Sequence, residues 1–202
     1  MDLYIFRHGE TDWNRERRLQ GHTDIPLNQT GVDQAHKLAE LIAPFKPQVI
    51  FTSDLSRARE TAKIVNKVLK VPLYENKGLR ECHVGIAEGM LRDDVTKLHG
   101  DNFWDRWVSV APEDVHFAFP SGEKKSDHLK RMISCIEEFC RQHPQYERIA
   151  ISTHGGSLRR VVHHCENAPA EAVALPNCVL YKLSFDVDTR TWQYHQLIAA
   201  SE

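Results

Sequence analysis

The sequence predicts an α/β protein: a three-layer sandwich on a mostly parallel sheet, with at least one antiparallel strand and an insertion over the sheet's C-terminal rim. Three observations lead there. Apolar runs at 3–6, 49–51 and within 148–152 each stop abruptly at polar residues, as buried parallel strands do. Stretches with apolar residues at helical spacing follow them. Two later runs, 179–185 and 192–198, flank a turn at 186–190 and read as a hairpin, which supplies the antiparallel strand.

Taken in order, Leu3 to Phe6 is a first strand that runs into the polar loop Arg7-His8-Gly9-Glu10-Thr11. Residues 30–45 form a helix with Val32, Ala35, Leu38, Leu41 and Ile42 inward, Thr30 as N-cap and Pro44 near its end. Val49 to Phe51 is a second strand, ending in Thr52-Ser53-Asp54. Residues 56–69 are a helix that buries Ala58, Ala62, Val65 and Leu69. The rhythm breaks between Gly85 and Gly122, where the chain is polar and turn-rich around Phe103, Trp104 and Trp107. This stretch, about 85–125, is read as a substrate-covering insertion within one domain spanning 1–202. The three aromatics either form its core or line a pocket mouth. Residues 126–141 are a helix with Leu129, Met132, Ile133, Ile136 and Phe139 inward. A third strand, 148–152, ends in Thr153-His154-Gly155-Gly156, and Gly156 opens a helix through Val161 and Val162.

Composition removes several classes. Of 202 residues 41% are hydrophobic and 27% charged, which is ordinary globular usage and argues against disorder. A net charge of −2 excludes the bulk basic character of a general nucleic-acid binder. The cysteines (Cys82, Cys135, Cys140, Cys165, Cys178) are odd in number and scattered, which fits reduced thiols better than a disulfide framework. Cys135 and Cys140 lack redox spacing and read as helix packing. No window approaches 18 apolar residues, and Arg7 comes too early for a signal peptide. A soluble, cytoplasmic protein with no nucleic-acid or membrane partner is therefore expected; oligomeric state is not legible. Among the 12 histidines, His163-His164-Cys165 is the one compact cluster, but its spacing is not that of a zinc site, so no metal is assigned.

Ligands of open parallel sheets bind at the C-terminal strand ends. Three such ends here carry anion-binding residues: Arg7, His8 and Thr11; Ser53, Asp54 and Arg57; Thr153, His154, Gly155 and Gly156. Arginine offers paired N–H donors to a tetrahedral oxyanion. Helices that begin just after these loops aim N–H groups at the same place. The combination describes a phosphate site containing a nucleophilic imidazole. Helical spacing turns Arg57 and Arg59 apart, so only one faces the rim.

Five blocks, in order, resemble the histidine phosphatase superfamily, the phosphoglycerate-mutase-like fold. Arg7-His8-Gly9-Glu10-Thr11-Asp12-Trp13-Asn14 resembles R-H-G-E-T-x-W-N. Gln20-Gly21-His22-Thr23-Asp24-Ile25-Pro26-Leu27 resembles Q-G-x-x-D-x-P-L. Ser53 to Ala58, Leu79-Arg80-Glu81 with Glu88-Gly89, and Ser152 to Gly156 supply the other three. The resemblance implies that His8 attacks phosphorus and that Arg7, Arg57 and His154 stabilise the phosphoryl oxygens. It makes Glu81 the general acid and base, with Glu88 a rival. It places Asn14, Gln20, Gly21 and Gly155 in substrate binding, with a small phosphorylated metabolite as substrate and no cofactor or metal. The motif selects Arg57 over Arg59, which is read as a helix-surface residue.

Two departures stand out. Ala87 sits where relatives often carry an aromatic, which predicts a roomier site wall or an insertion aromatic filling the gap. Lys124 ends a P-x-G-E segment that often continues with Ser, so no site is assigned there. Arg15-Glu16-Arg17-Arg18 reads as a solvated face, although Arg17 and Arg18 are placed to meet an acidic substrate. Within the insertion, Arg92, Lys97 and Arg106 alternate with aspartates, a near-neutral stretch poorly suited to a second phosphate. That favours hydrolysis over a cofactor-dependent phosphoglycerate mutase. A non-catalytic scaffold is disfavoured because every catalytic position is filled.

Overall fold

The structure is a computed structural model that describes residues 1–170 and 173–199. In chain order it has β1 (Asp2–Arg7), α1 (Asp12–Arg15), α2 (Gln29–Ile42), β2 (Val49–Thr52), α3 (Ser56–Leu69), β3 (Leu73–Glu75), α4 (Arg92–His99), α5 (Asn102–Val108), α6 (Lys125–Gln142), β4 (Arg148–Thr153), α7 (Gly155–His164), β5 (Leu180–Phe185) and β6 (Trp192–Ala199). The strands form one sheet in the order β3-β2-β4-β1-β5-β6. β3, β2, β4 and β1 run parallel, β5 pairs antiparallel with β1, and β6 antiparallel with β5.

Register is what builds the site. Arg7 pairs with Thr153 and Thr52 with Ser152, so β1, β2 and β4 end level. Residues separated by nearly 150 positions of chain therefore share one rim.

Alternation along the strands divides the core. Leu3, Ile5, Val49, Phe51, Ile149 and Ile151 face α6 and α7, packing on Met132, Ile136, Phe139, Leu158 and Val161. Tyr4, Phe6, Ile50 and Ala150 face α2 and α3, packing on Ala35, Leu38, Ile42, Ala62 and Val65. These are the two outer layers of the expected sandwich. Each fully buried Leu, Ile or Phe contributes roughly 1.5–3 kcal/mol of transfer free energy. A third cluster holds the insertion: Val84, Ala87, Val95, Phe103 and Phe119, with Trp104 and Trp107 partly buried against it.

Some details differ from the sequence reading. The N-cap of α2 is Asn28, not Thr30; Asn28 Oδ1 accepts from the Gly31 N–H at 2.9 Å. Thr30 lies inside the helix because Asn28 holds the extended φ that a cap needs. β3 leaves no apolar pattern in the sequence because it is a three-residue edge strand, half-buried only at Leu73. α1 leaves none because it is a single turn held by a capping box between Thr11 and Asn14. The insertion carries two short helices, α4 and α5. Among the described residues, no helix is long and apolar enough to cross a membrane.

Candidate active site

His8 sits at the end of β1, buried, with its main-chain N–H bonded to the Thr153 carbonyl at 3.0 Å. Its Nδ1–H donates to the Gly9 carbonyl at 2.6 Å. A carbonyl only accepts, so the proton is on Nδ1 and Nε2 keeps its lone pair. Burial, then Arg57 and Arg7, hold this imidazole well below its usual range, so it is neutral near pH 7. The loop is held against α2 by bare backbone: a Cβ at Gly9 would lie 2.3 Å from the Gly31 carbonyl oxygen, which excludes any side chain there.

His154, the residue before α7, is wholly buried, its ring 5.2 Å from that of His8. His154 Nε2 and the Ser53 hydroxyl are hydrogen-bonded at 2.9 Å, while Nδ1 has no protein partner. Arg57, on the first turn of α3, is 1% exposed. Its Nη1 donates to the Thr23 carbonyl and its Nη2 to the Gly21 carbonyl, both at 2.9 Å, leaving Nε unpartnered. Burial lowers its pKa to about 10, so it stays cationic at neutral pH. Arg59 points elsewhere, toward Glu75 across the sheet edge. Arg7 anchors on the Leu175 carbonyl, and its Nε has no partner. Three buried nitrogens around His8, on Arg7, Arg57 and His154, thus have no protein partner.

Glu81 joins them from the other side. Its Oε2 accepts from the Gly156 N–H at 2.8 Å and its Oε1 from the Cys82 N–H at 2.9 Å. Glu88, its rival, is built into the frame instead. Its carboxylate accepts from the His22 N–H, the Thr23 N–H and the Thr23 hydroxyl. Those bonds clamp the Gln20–Thr23 turn whose carbonyls hold Arg57. Gly21 has φ +52°, and a Cβ there would lie 2.2 Å from Glu88 Oε1, so glycine is required twice over. Asp24 continues the turn by accepting from Ser56 N–H and Oγ, which caps α3. Asp54 is likewise occupied, in a two-pronged pair with Arg80.

Arg7, His8, Arg57 and Glu81 line a cavity of about 680 Å³, whereas His154 lies behind His8 and does not reach its wall. Asn14, Gln20, Gly21 and Gly155 all reach its wall, as the motifs imply. Asn14 Oδ1 accepts from Thr11 N–H and hydroxyl, which leaves its amide NH2 as the end able to donate. Sequence reasoning missed Arg159, one helical turn into α7, and the wall role of Arg92. Both line the cavity with Arg17 and Arg18. The cavity therefore holds Arg7, Arg17, Arg18, Arg57, Arg92 and Arg159 against Glu81 and Asp93. The near-neutral insertion is no guide to this charge, because most of it comes from outside the insertion. Trp104 and Trp107 line the cavity while Phe103 is insertion core, so the aromatic cluster does both jobs. Ala87 is wholly buried in the insertion core, not on the wall. The two tryptophans and Val84 form the wall instead.

Among the described residues, Cys82, Glu123 and His128 bring metal-type ligand atoms within 4.8 Å of one another. Both Glu123 oxygens are taken by Arg131, at 2.9 and 2.8 Å, so its charge is already neutralised. The cysteines are free, and burial pushes all five thiols up, four to about 12 and Cys135 to about 11. They are poor nucleophiles and poor ligands at neutral pH.

Comparison with known proteins agrees with this geometry. The sequence profile of the histidine phosphatase superfamily, branch 1, matches residues 3–197. An uncharacterised phosphatase of Bacillus subtilis, PhoE, is 31% identical over 90% of this chain and 86% of its own. A probable phosphoglycerate mutase, GpmB of Photorhabdus laumondii, is 33% identical over 92% of this chain and 85% of its own. A mycobacterial glucosyl-3-phosphoglycerate phosphatase solved with VO3 superposes with a TM-score of 0.83, at 25% identity, over 96% of both chains. The chain belongs to the histidine phosphatase superfamily, branch 1, and is a phosphatase of that family.

Proposed function

We propose that the protein hydrolyses a small phosphomonoester through a phosphohistidine on His8, without a metal ion. The observation that carries this reading is a neutral His8 with a free Nε2, set among the unpartnered nitrogens of Arg7, Arg57 and His154. His8 Nε2 attacks phosphorus; the N–P bond forms as the ester P–O bond breaks. Glu81 gives its proton to the leaving oxygen. Water then attacks the phosphohistidine, Glu81 takes its proton, and phosphate leaves with His8 restored. Arg7, Arg57 and His154 stabilise charge on the transferring group, with Asn14 and Gln20 beside them. Two buried guanidinium groups supply the neutralisation that a cation provides elsewhere.

The rest of the cavity bears on the substrate. No ion pair among the described residues uses Arg17, Arg92 or Arg159. We read these as the seat of a second anionic group, a carboxylate or phosphate a few bonds from the first. The phosphoglycerate in the names of two relatives is of that chemical kind. Five free, unpaired cysteines support a reducing, cytoplasmic setting.

The decisive assay follows phosphate release with a chelator present, in wild type, His8→Ala and Glu81→Ala, and measures acid-labile phosphate on the enzyme. Turnover and labelling in wild type, with both lost in His8→Ala, are expected. Labelling without hydrolysis, together with bisphosphoglycerate-dependent isomerisation, would assign mutase chemistry instead. Neither labelling nor turnover in folded protein would leave a phosphate-binding scaffold. On the substrate, Arg159→Leu is expected to raise KM about tenfold for phosphoglycerate but not for glycerol phosphate. Equal effects on both would remove the second-anion reading.

A further inference from the structure

Behind Glu81 lies a buried polar pair that the reaction as written does not use. His128, on α6, is wholly buried. Its Nε2 lies 3.0 Å from the Ser157 hydroxyl, and its Nδ1 has no partner. Ser157, on the first turn of α7, is also wholly buried. Its oxygen lies 3.4 Å from Glu81 Oε1 and 3.3 Å from the Arg80 carbonyl. A serine has one hydrogen, and the carbonyl and the carboxylate both only accept it. A proton on His128 Nδ1 would be a buried donor with no partner, so Nε2 donates to Ser157 Oγ and the serine hydrogen turns toward Arg80 and Glu81. The proton of His128 is then on Nε2, which leaves the unpartnered Nδ1 as an acceptor and not as a stranded donor.

From this chain we infer that Ser157 and His128 are positioning residues that select which oxygen of Glu81 carries the catalytic proton. Oε1 accepts from the Cys82 N–H at 2.9 Å and faces the Ser157 hydroxyl at 3.4 Å, a long contact whose hydrogen is shared with the Arg80 carbonyl. Oε2 accepts from the Gly156 N–H at 2.8 Å, its one donor among the described residues. The proton delivered to the leaving oxygen, and later taken from water, is therefore carried on Oε2. His128 moves no proton; it fixes the hydroxyl, and the hydroxyl fixes the carboxyl plane. The inference rests on the reading of Glu81 as acid and base.

The fixed charges around Glu81 are shared by every variant below. Arg7, Arg57 and Arg159 face it from the cavity, and Arg160 reaches the same helix turn. Arg131 and His22 bond its main-chain carbonyl, and the Cys82 thiol adjoins it.

The test compares two esters, an alkyl phosphate whose leaving oxygen needs a proton and 4-nitrophenyl phosphate, which leaves without one. Ser157→Ala is expected to lose about tenfold in kcat/KM, which reports the phosphorylation step alone, on the alkyl ester and less than about twofold on the nitrophenyl ester. The alkaline limb of its kcat/KM profile moves to higher pH, because a donor to the carboxylate is gone. His128→Leu behaves alike, whereas His128→Gln, which keeps a donor near Nε2, restores activity. Thermal melting confirms that each variant is folded, and the glutamine variant keeps the test alive should the leucine variant unfold. Glu81→Gln is run alongside. Equal loss of kcat/KM on both esters in Glu81→Gln would remove Glu81 as the acid, whatever Ser157 does. Ester discrimination in Glu81→Gln, but equal loss and an unmoved limb in Ser157→Ala, would overturn the positioning role alone.

Discussion

A neutral, tautomerically fixed imidazole is the starting condition for attack on phosphorus, and two local features create it at His8. The Gly9 carbonyl holds Nδ1–H, and burial beside two guanidinium groups opposes protonation. Arg57 depends on a different device, the carbonyls of Gly21 and Thr23. Gly21→Ala must leave the left-handed region or push Glu88 aside, and either shift displaces the Arg57 clamp. A displacement near 1 Å is expected to cost about 100-fold in kcat/KM. Wild-type kinetics in a folded Gly21→Ala would show that the clamp does not set the position of Arg57. At this scale the choice of Glu81 over Glu88 came only from motif order. What separates them physically is their partners: Glu88 is saturated by the turn it braces, whereas Glu81 faces the cavity.

Elements show the same division between frame and function. Lys124 is the N-cap of α6, in extended conformation with φ −67° and no side-chain cap bond. Lys124→Ser supplies the missing acceptor and is expected to stabilise the protein by about 1 kcal/mol without changing kcat. Unchanged melting would mean that the first turn of α6, where Lys125 and Ser126 N–H already bond the Phe117 and Val115 carbonyls, gains nothing from a cap. The insertion has its own core, separate from the two faces of the sheet. Phe119→Ala removes its central ring, against which Phe103, Trp104 and Trp107 all pack. Loss of about 3–5 kcal/mol there exceeds what so small a cluster can absorb. Limited proteolysis is then expected to cut within 85–125 and abolish activity, while the sheet and its helices resist. Cleavage spread evenly through the chain would instead make the insertion part of one cooperative core.

Across the whole molecule, burial of neutral histidines ties stability to pH. His8, His128 and His154 all have folded pKa values well below 6.5, with burial the leading cause. Below about pH 6.5 the unfolded chain binds protons that the folded chain refuses, so stability falls as pH falls. Each such group contributes at most about 1.4 kcal/mol per pH unit, and the three together at most about 4 kcal/mol per pH unit. Melting temperature is expected to drop steadily from pH 7 to pH 5, well above the range where Asp54, Glu88 and Glu123 lose their charge. A flat profile across that window would contradict the buried, neutral state of these rings. The same burial made the site only partly legible. Arg7, His8, Arg57, Glu81 and His154 lie in motifs that a reader can match in order. Arg159 and His128 carry no such mark; a second arginine in a helix and a histidine at a core position look ordinary until their neighbours are known.

The sequence alone determined the layers, because apolar period and polar strand ends depend on local chemistry. It also singled out the candidate site residues, because each is bound to a glycine, a strand end or a helix start that its own segment supplies. Tertiary structure alone decided the rest. The β1–β4 and β2–β4 registers set which strand ends meet, and chain entry into the rim from three directions gathered the arginines. Those are long-range pairings, fixed by which faces pack together, and no local pattern records them.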